Sequence, residues 1–131
     1  ENEVIINGGI NQTSDIKKHL KLVDGVMIGR AIYHSPYFLA DIEKEIFNNK
    51  NVPSRTEVME NLIPYILEQT SKGVQLNHIM RHTIGLFHGQ EGSKAWKQYL
   101  SKNMCIRNAE LQKVNHIMDH IKNYKSTSLE R

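Results

Sequence analysis

Two patterns of apolar residues divide the chain. In the first, short β-branched runs end at glycine. Val4-Ile5-Ile6 stops at Asn7-Gly8-Gly9, and Val26-Met27-Ile28 stops at Gly29-Arg30. Each reads as a buried strand closed by a glycine turn. Between them Thr13 or Ser14 is placed to cap a helix from about Asp15 to Leu22, with Ile16 and Leu20 on one face. Strand, helix and strand make a βαβ unit. Its parallel sheet calls for cover on both faces, so further strands are expected upstream or in another chain. Ser35-Pro36 has the form of a helix start, followed by an apolar face of Phe38, Leu39, Ile42, Ile46 and Phe47.

The second pattern follows the polar, proline-ended stretch Asn48 to Pro53, which is the best candidate for a domain boundary. Beyond it everything reads as helical. Ser54-Arg55-Thr56-Glu57 has capping-box spacing, and Val58, Met59, Leu62, Ile63, Ile66 and Leu67 follow at helical intervals. Pro64 should kink that helix, and Lys72-Gly73 should stop it. Leu76, Ile79, Met80, Thr83, Ile84 and Phe87 predict a second helix. Ser93 is placed to cap a third, carrying Trp96, Tyr99 and Leu100. Asn108 is placed to cap a fourth, with Leu111, Val114, Ile117, Met118 and Ile121 inward. The expected architecture is α/β over residues 1–50 followed by an all-α four-helix bundle over 51–131.

Charge sharpens this division. Residues 1–50 carry six Lys/Arg against seven Asp/Glu, a net charge of −1, whereas residues 51–131 carry eleven against seven, a net charge of +4. Five of the seven histidines also fall in the second part. A basic helical part suits a polyanion such as RNA, although a solvated helical surface has the same composition. Apolar and charged contents of 39% and 24% are those of an ordinary globular protein. The lone Cys105 allows no internal disulfide and fits a reducing cytosol. No apolar run approaches the roughly 18 residues of a membrane span. The chain opens at Glu1 without Met and runs at once into Val4, as expected of a piece of a longer protein.

The glycine-ended strands carry the clearest chemistry. Glycine leaves backbone N–H groups open to close approach by a phosphate. In a (β/α)₈ barrel the loops after the seventh and eighth strands commonly form such a site. Asn7 and Gly29 stand 22 positions apart, a suitable length for one strand-helix-strand step, and Arg30 adds a fixed cation with forked donors. Tight turns of an ordinary α/β fold are the alternative. Lys94 and Lys97 lie three apart beside Trp96, with Lys102 and Arg107 following, and could meet consecutive phosphates. Trp96 itself reads as core. His78 and His82 lie four apart, but Ile79 stands where a metalloprotease carries Glu and no third ligand is evident. No metal is expected, and Arg81-His82 reads as a contact for solvent or an anion. Cys105 reads as structural.

Taken together, Asn7-Gly8-Gly9-Ile10 and Asp24-Gly25-Val26-Met27-Ile28-Gly29-Arg30 resemble the end of the flavin barrel of tRNA-dihydrouridine synthases. His78-Ile79-Met80-Arg81-His82, Gly85-Leu86-Phe87-His88-Gly89 and Gly92 to Ser101 resemble the A-type branch. The resemblance implies the last two strands and helices of a (β/α)₈ TIM barrel followed by a helical tRNA-binding domain. It implies an enzyme that reduces D-loop uridines of tRNA with FMN and NADPH in the cytoplasm. Asn7, Gly8, Gly9, Gly29 and Arg30 would hold the FMN phosphate. Lys94 and Lys97, where arginines are expected, would touch tRNA, with Arg81, His82, Lys102 and Arg107 nearby. The catalytic cysteine of such enzymes lies on an upstream loop and Cys105 does not match it, so no catalytic residue and no activity are expected of these 131 residues alone. A stand-alone helical RNA-binding module, or part of another FMN-dependent barrel oxidoreductase, are the alternatives.

Overall fold

The computed structural model describes residues 2–103 together with His116 and Asp119. The chain divides into two compact units, Glu1–Val52 and Pro53–Arg131. Among the described residues no helix is long and apolar enough to cross a membrane.

The first unit is built on two parallel strands, β1 (Ile5–Asn7) and β2 (Gly25–Met27), joined through α1 (Thr13–His19). The register pairs Ile5 with Gly25, Ile6 with Val26 and Asn7 with Met27. Because side chains alternate along a strand, Ile6 and Val26 share one face and Ile5 and Met27 turn to the other. The Ile6 face packs on a core of Ile10, Ile16 and Ile42, together with Ile28, Ile32, Phe38 and Ile46. On the opposite face Ile5 and Met27 remain 57% and 50% exposed. Cover on both faces is thus met on one side only within this unit.

Several boundaries differ from the periodicity. The first helix begins at Thr13, after an uncapped Gln12. Thr13 is inside it, and its hydroxyl donates to the Glu45 carboxylate at 2.7 Å. A five-residue helix, α2 (Arg30–His34), follows β2 directly and leaves no mark in the apolar pattern. The next helix, α3 (Phe38–Glu45), starts two residues after Pro36. Its approach is a tight turn closed by bonds from Phe38 N–H to the Ser35 carbonyl and from Leu39 N–H to the Pro36 carbonyl. Lys17 joins Thr13 on Glu45 at 2.9 Å, fastening α1 to α3. The Thr13 hydrogen bond, and after it Lys17, hold the Glu45 carboxyl below its ordinary pKa. That contribution is therefore present above the unfolded carboxylate pKa and fades as pH falls through the lowered one.

In the second unit α4 (Arg55–Ser71) opens with the expected capping box: the Ser54 side chain accepts from Glu57 N–H, and Glu57 accepts from Ser54 N–H. Pro64 lies inside it and does not end it. The expected second helix is shorter than its apolar spacing suggests. α5 (Leu76–Met80) passes into one 3₁₀ turn, Arg81–Thr83, and then into a run of turns up to Gln90. Gly89 and Gly92, both at positive φ, interrupt the helical path between these turns and the next helix. The lysine helix, α6 (Ser93–Asn103), takes its first bond from Trp96 N–H to the Gly92 carbonyl, so Ser93 is its first residue and not its cap. Met59, Ile66, Leu76, Ile79, Met80, Leu86, Trp96 and Leu100 are the buried apolar residues, among those described, around which these elements close. Cys105, Arg107 and the fourth helix expected from Asn108 to Ile121 lie outside the described residues, save His116 and Asp119. The described part of this unit is accordingly an all-α arrangement of three helices and a turn segment.

Candidate phosphate and polyanion sites

In the first unit the parallel pairing brings both glycine turns to one edge of the sheet. Asn7 ends β1 opposite Met27 of β2, so Gly8-Gly9 and Gly29-Arg30 leave the sheet at the same side. Gly8 and Gly9 have φ of 116° and 71°, values that residues with a Cβ rarely adopt, and no atom would stand within 4 Å of a Cβ at either. The glycines are thus required by the backbone path, and the space before them is open. Asn11 Nδ2 donates to the Gly9 carbonyl at 3.4 Å and helps set that path. Gly29 precedes α2, and Arg30, its first residue, is exposed. Asn7, Gly8, Gly9 and Gly29 are exposed as well. The arrangement offers unencumbered backbone and one arginine at a single edge of the sheet, and both suit a phosphate. Tyr33 and His34 follow one turn later, their rings edge-on at 6.0 Å.

The second unit shows a different kind of surface. α6 buries Trp96 and Leu100 and exposes Lys94, Lys97, Gln98, Ser101 and Lys102. Those five positions follow the i, i+3, i+4, i+7, i+8 rule for one helix face. The sequence carries that signal for Gln98 and Ser101 too, though charge alone picks out only the lysines. None of the eleven residues of α6 is acidic. Trp96 is core, as its neighbours imply: it is 4% exposed, meets Phe87 edge-on at 5.2 Å, and its Nε1–H donates to the Thr83 carbonyl at 3.4 Å. That bond ties the Arg81–Thr83 turn to the lysine helix. Arg81 and His82 are both exposed, and Arg81 Nε–H donates to His82 Nε2 at 3.2 Å. An imidazole nitrogen that accepts this bond is not free to bind a metal. Among the described residues no group of three or more His, Cys, Asp or Glu is placed to hold an ion. Tyr99 is partly buried, which raises its phenol pKa.

Neither charge nor motif singles out Arg55. It lies at the start of α4, and its Nε–H donates to the Leu86 carbonyl at 2.8 Å. Nothing in local sequence pairs residues 31 positions apart.

Comparison with known proteins gives a single family. Residues 3–125 match the family model described as dihydrouridine synthase (Dus). The tRNA-dihydrouridine(20/20a) synthase of Haemophilus ducreyi is 41% identical over 116 residues, 88% of this chain and 36% of that protein. The protein of the same name from Synechocystis is 45% identical over 105 residues, 79% of this chain and 31% of the relative. That from Escherichia coli O6:H1 is 39% identical over 114 residues, 86% and 34% respectively. The chain spans about a third of the length of these relatives.

The backbone path at the strand edge makes a direct prediction. Gly9→Ala meets no steric obstacle but forces a Cβ into positive φ, so it should destabilise the first unit by about 1–2 kcal/mol. Urea unfolding of the two proteins checks this, and equal midpoints would mean that the turn relaxes freely.

Proposed function

The chain belongs to the dihydrouridine synthase family, and from that premise we propose that it is the flavin-phosphate and tRNA-docking part of a tRNA-dihydrouridine synthase. The reaction is the reduction of D-loop uridines in tRNA to 5,6-dihydrouridine, with NADPH as reductant. The observation that carries this reading is the match across both units, residues 3–125, and two separate surfaces whose chemistry suits an anion support it. A match that extends through the helical unit disfavours another flavin barrel. A flavin enzyme that acts on tRNA needs one phosphate site for its cofactor and one face for its RNA.

The fit of FMN rests on the strand edge. Gly8 and Gly9 leave room for a phosphate against the backbone, and Arg30 supplies a charge-assisted, bidentate partner. Asn7 and Gly29 complete the two turns. When bound, the flavin supplies hydride transfer. What these residues do is bind and orient its phosphate end. The two strands here are read as the last two of the (β/α)₈ barrel, with residues 1–50 as its end and 51–131 as the tRNA-binding domain. On this reading the 131 residues bind and position but do not reduce.

The exposed stripe of α6 is read as the tRNA contact, with Lys94 and Lys97 on consecutive phosphates and Lys102, Arg81 and His82 beside them. Arg107 is assigned to the same group from the sequence alone. Lysine keeps the charge of the arginines expected at 94 and 97 but loses their fork, so it supports attraction with less geometric selectivity.

Two outcomes test these assignments. Replacing Lys94 and Lys97 together with Ala should flatten the slope of log tRNA affinity against log salt by about 1.4 to 1.8, since each phosphate left without its cation accounts for roughly 0.7 to 0.9. Titrations of unmodified tRNA into the 131-residue chain at three salt concentrations measure it, and an unchanged slope removes both lysines from the interface. In a polypeptide that carries the whole barrel, Arg30→Ala should weaken FMN binding by about 1.5–3 kcal/mol. Flavin retained equally through dialysis would exclude Arg30.

A further inference from the structure

Arg55 is a cation in the first turn of α4, where the helix dipole is unfavourable to it. Its partner explains its place. The partly buried Nε–H donates to the carbonyl of Leu86, 31 residues away, at 2.8 Å. Leu86 sits in a stretch with no helical ladder of its own. That stretch is closed by single turns: Leu86 N–H to the Thr83 carbonyl at 2.9 Å, His88 to Gly85 at 3.0 Å, Gln90 to Phe87 at 3.1 Å and Ser93 to Gln90 at 3.1 Å. Each bond fixes one turn and leaves the angle between successive turns to outside contacts.

Among the described residues, side chains from two different helices supply such contacts. Trp96 of α6 holds the beginning of the stretch through the Thr83 carbonyl and packs edge-on against Phe87. Arg55 of α4 holds its middle. Arg81 and His82 stand at the entrance of this stretch, and Lys94 and Lys97 stand just past its exit. Together with the Trp96–Thr83 bond, the path of the turns sets how far the first pair stands from the second.

We propose that Arg55 is a positioning residue for tRNA docking: by holding the Leu86 carbonyl it fixes the spacing between the Arg81–His82 turn and the Lys94–Lys97 face, so that both meet one RNA backbone. Phosphates on an RNA strand recur at a set interval, so cations on a turn segment of wandering shape would engage them only part of the time. The inference rests on the reading of α6 as the tRNA face.

A double-mutant cycle on the 131-residue chain tests it, with unmodified tRNA as the probe. Arg55→Met keeps the apolar stem and removes the donor. In the parent background it should weaken tRNA binding about three- to thirtyfold, which lies within the range of coupling between residues joined through a shared backbone shift. In the Lys94→Ala, Lys97→Ala background the same change should have little effect, because the face it positions is gone. An equal loss in both backgrounds, or no loss in the parent, overturns the proposal. If Arg55→Met fails to fold by circular dichroism, Arg55→Lys carries the cycle instead. It keeps one donor on a different reach, so a smaller loss is expected, still confined to the parent background, and a background-independent loss overturns the proposal. The Lys94→Ala, Lys97→Ala variant separates the two ideas. If it binds tRNA with unchanged affinity and salt slope, the tRNA-face reading fails and takes the proposal with it. If it weakens binding while Arg55→Met does not, only the role of Arg55 falls.

Discussion

Burial of Trp96 and Leu100 fixes the rotation of α6 about its axis, and what the second unit presents to a partner follows from that rotation. The two buried side chains are four positions apart, so they lie on one face, one above the other. Lys94, Lys97, Gln98, Ser101 and Lys102 are then left on the other face. The same tryptophan reaches back to the Thr83 carbonyl and Phe87, and so links the turn segment to the helix. A lysine stripe on a helix free to roll would be a solvated surface. On a helix locked by a buried indole it is a surface of fixed shape, which a polyanion with regularly spaced charges can match.

The first unit offers a different kind of surface. Its sheet edge offers backbone before charge: two glycines at positive φ with open space in front of them, and one arginine on the adjacent turn. Backbone amides in a fixed turn suit a single phosphate held closely, whereas long-stemmed ammonium groups suit a long polymer held loosely. The division matches what a family that pairs a flavin with a tRNA substrate requires. The family match extends over both units.

Legibility in the sequence follows the range of the forces involved. The capping box at Ser54 is readable because all of it lies within four residues. The parallel pair is readable because β-branched runs ended by glycine have few other uses. The core role of Trp96 follows from its neighbours at helical spacing. What local pattern does not give is the shape of the segment after Met80. Leu76 to Phe87 keep apolar spacing compatible with one helix, yet hydrogen bonds from Arg55 and Trp96, far apart in sequence, hold a 3₁₀ turn and a series of turns instead. The short helix at Arg30 escapes the pattern for a related reason: it has five residues and no buried side chain, so it leaves no periodic trace. Thr13 reads as a cap because nothing nearby in sequence signals Glu45, its partner 32 residues on.

Lysine footprinting is the most direct test that the second unit offers a shaped polyanion surface. Acylation of the 131-residue chain is compared with and without saturating unmodified tRNA, and each lysine is followed by mass spectrometry. The expected result is protection of Lys94, Lys97 and Lys102, with Lys17 and Lys72, which are paired with Glu45 and Glu68, modified alike in both samples. Equal modification of Lys94 and Lys97 with and without bound tRNA, while lysines elsewhere are shielded, would contradict it.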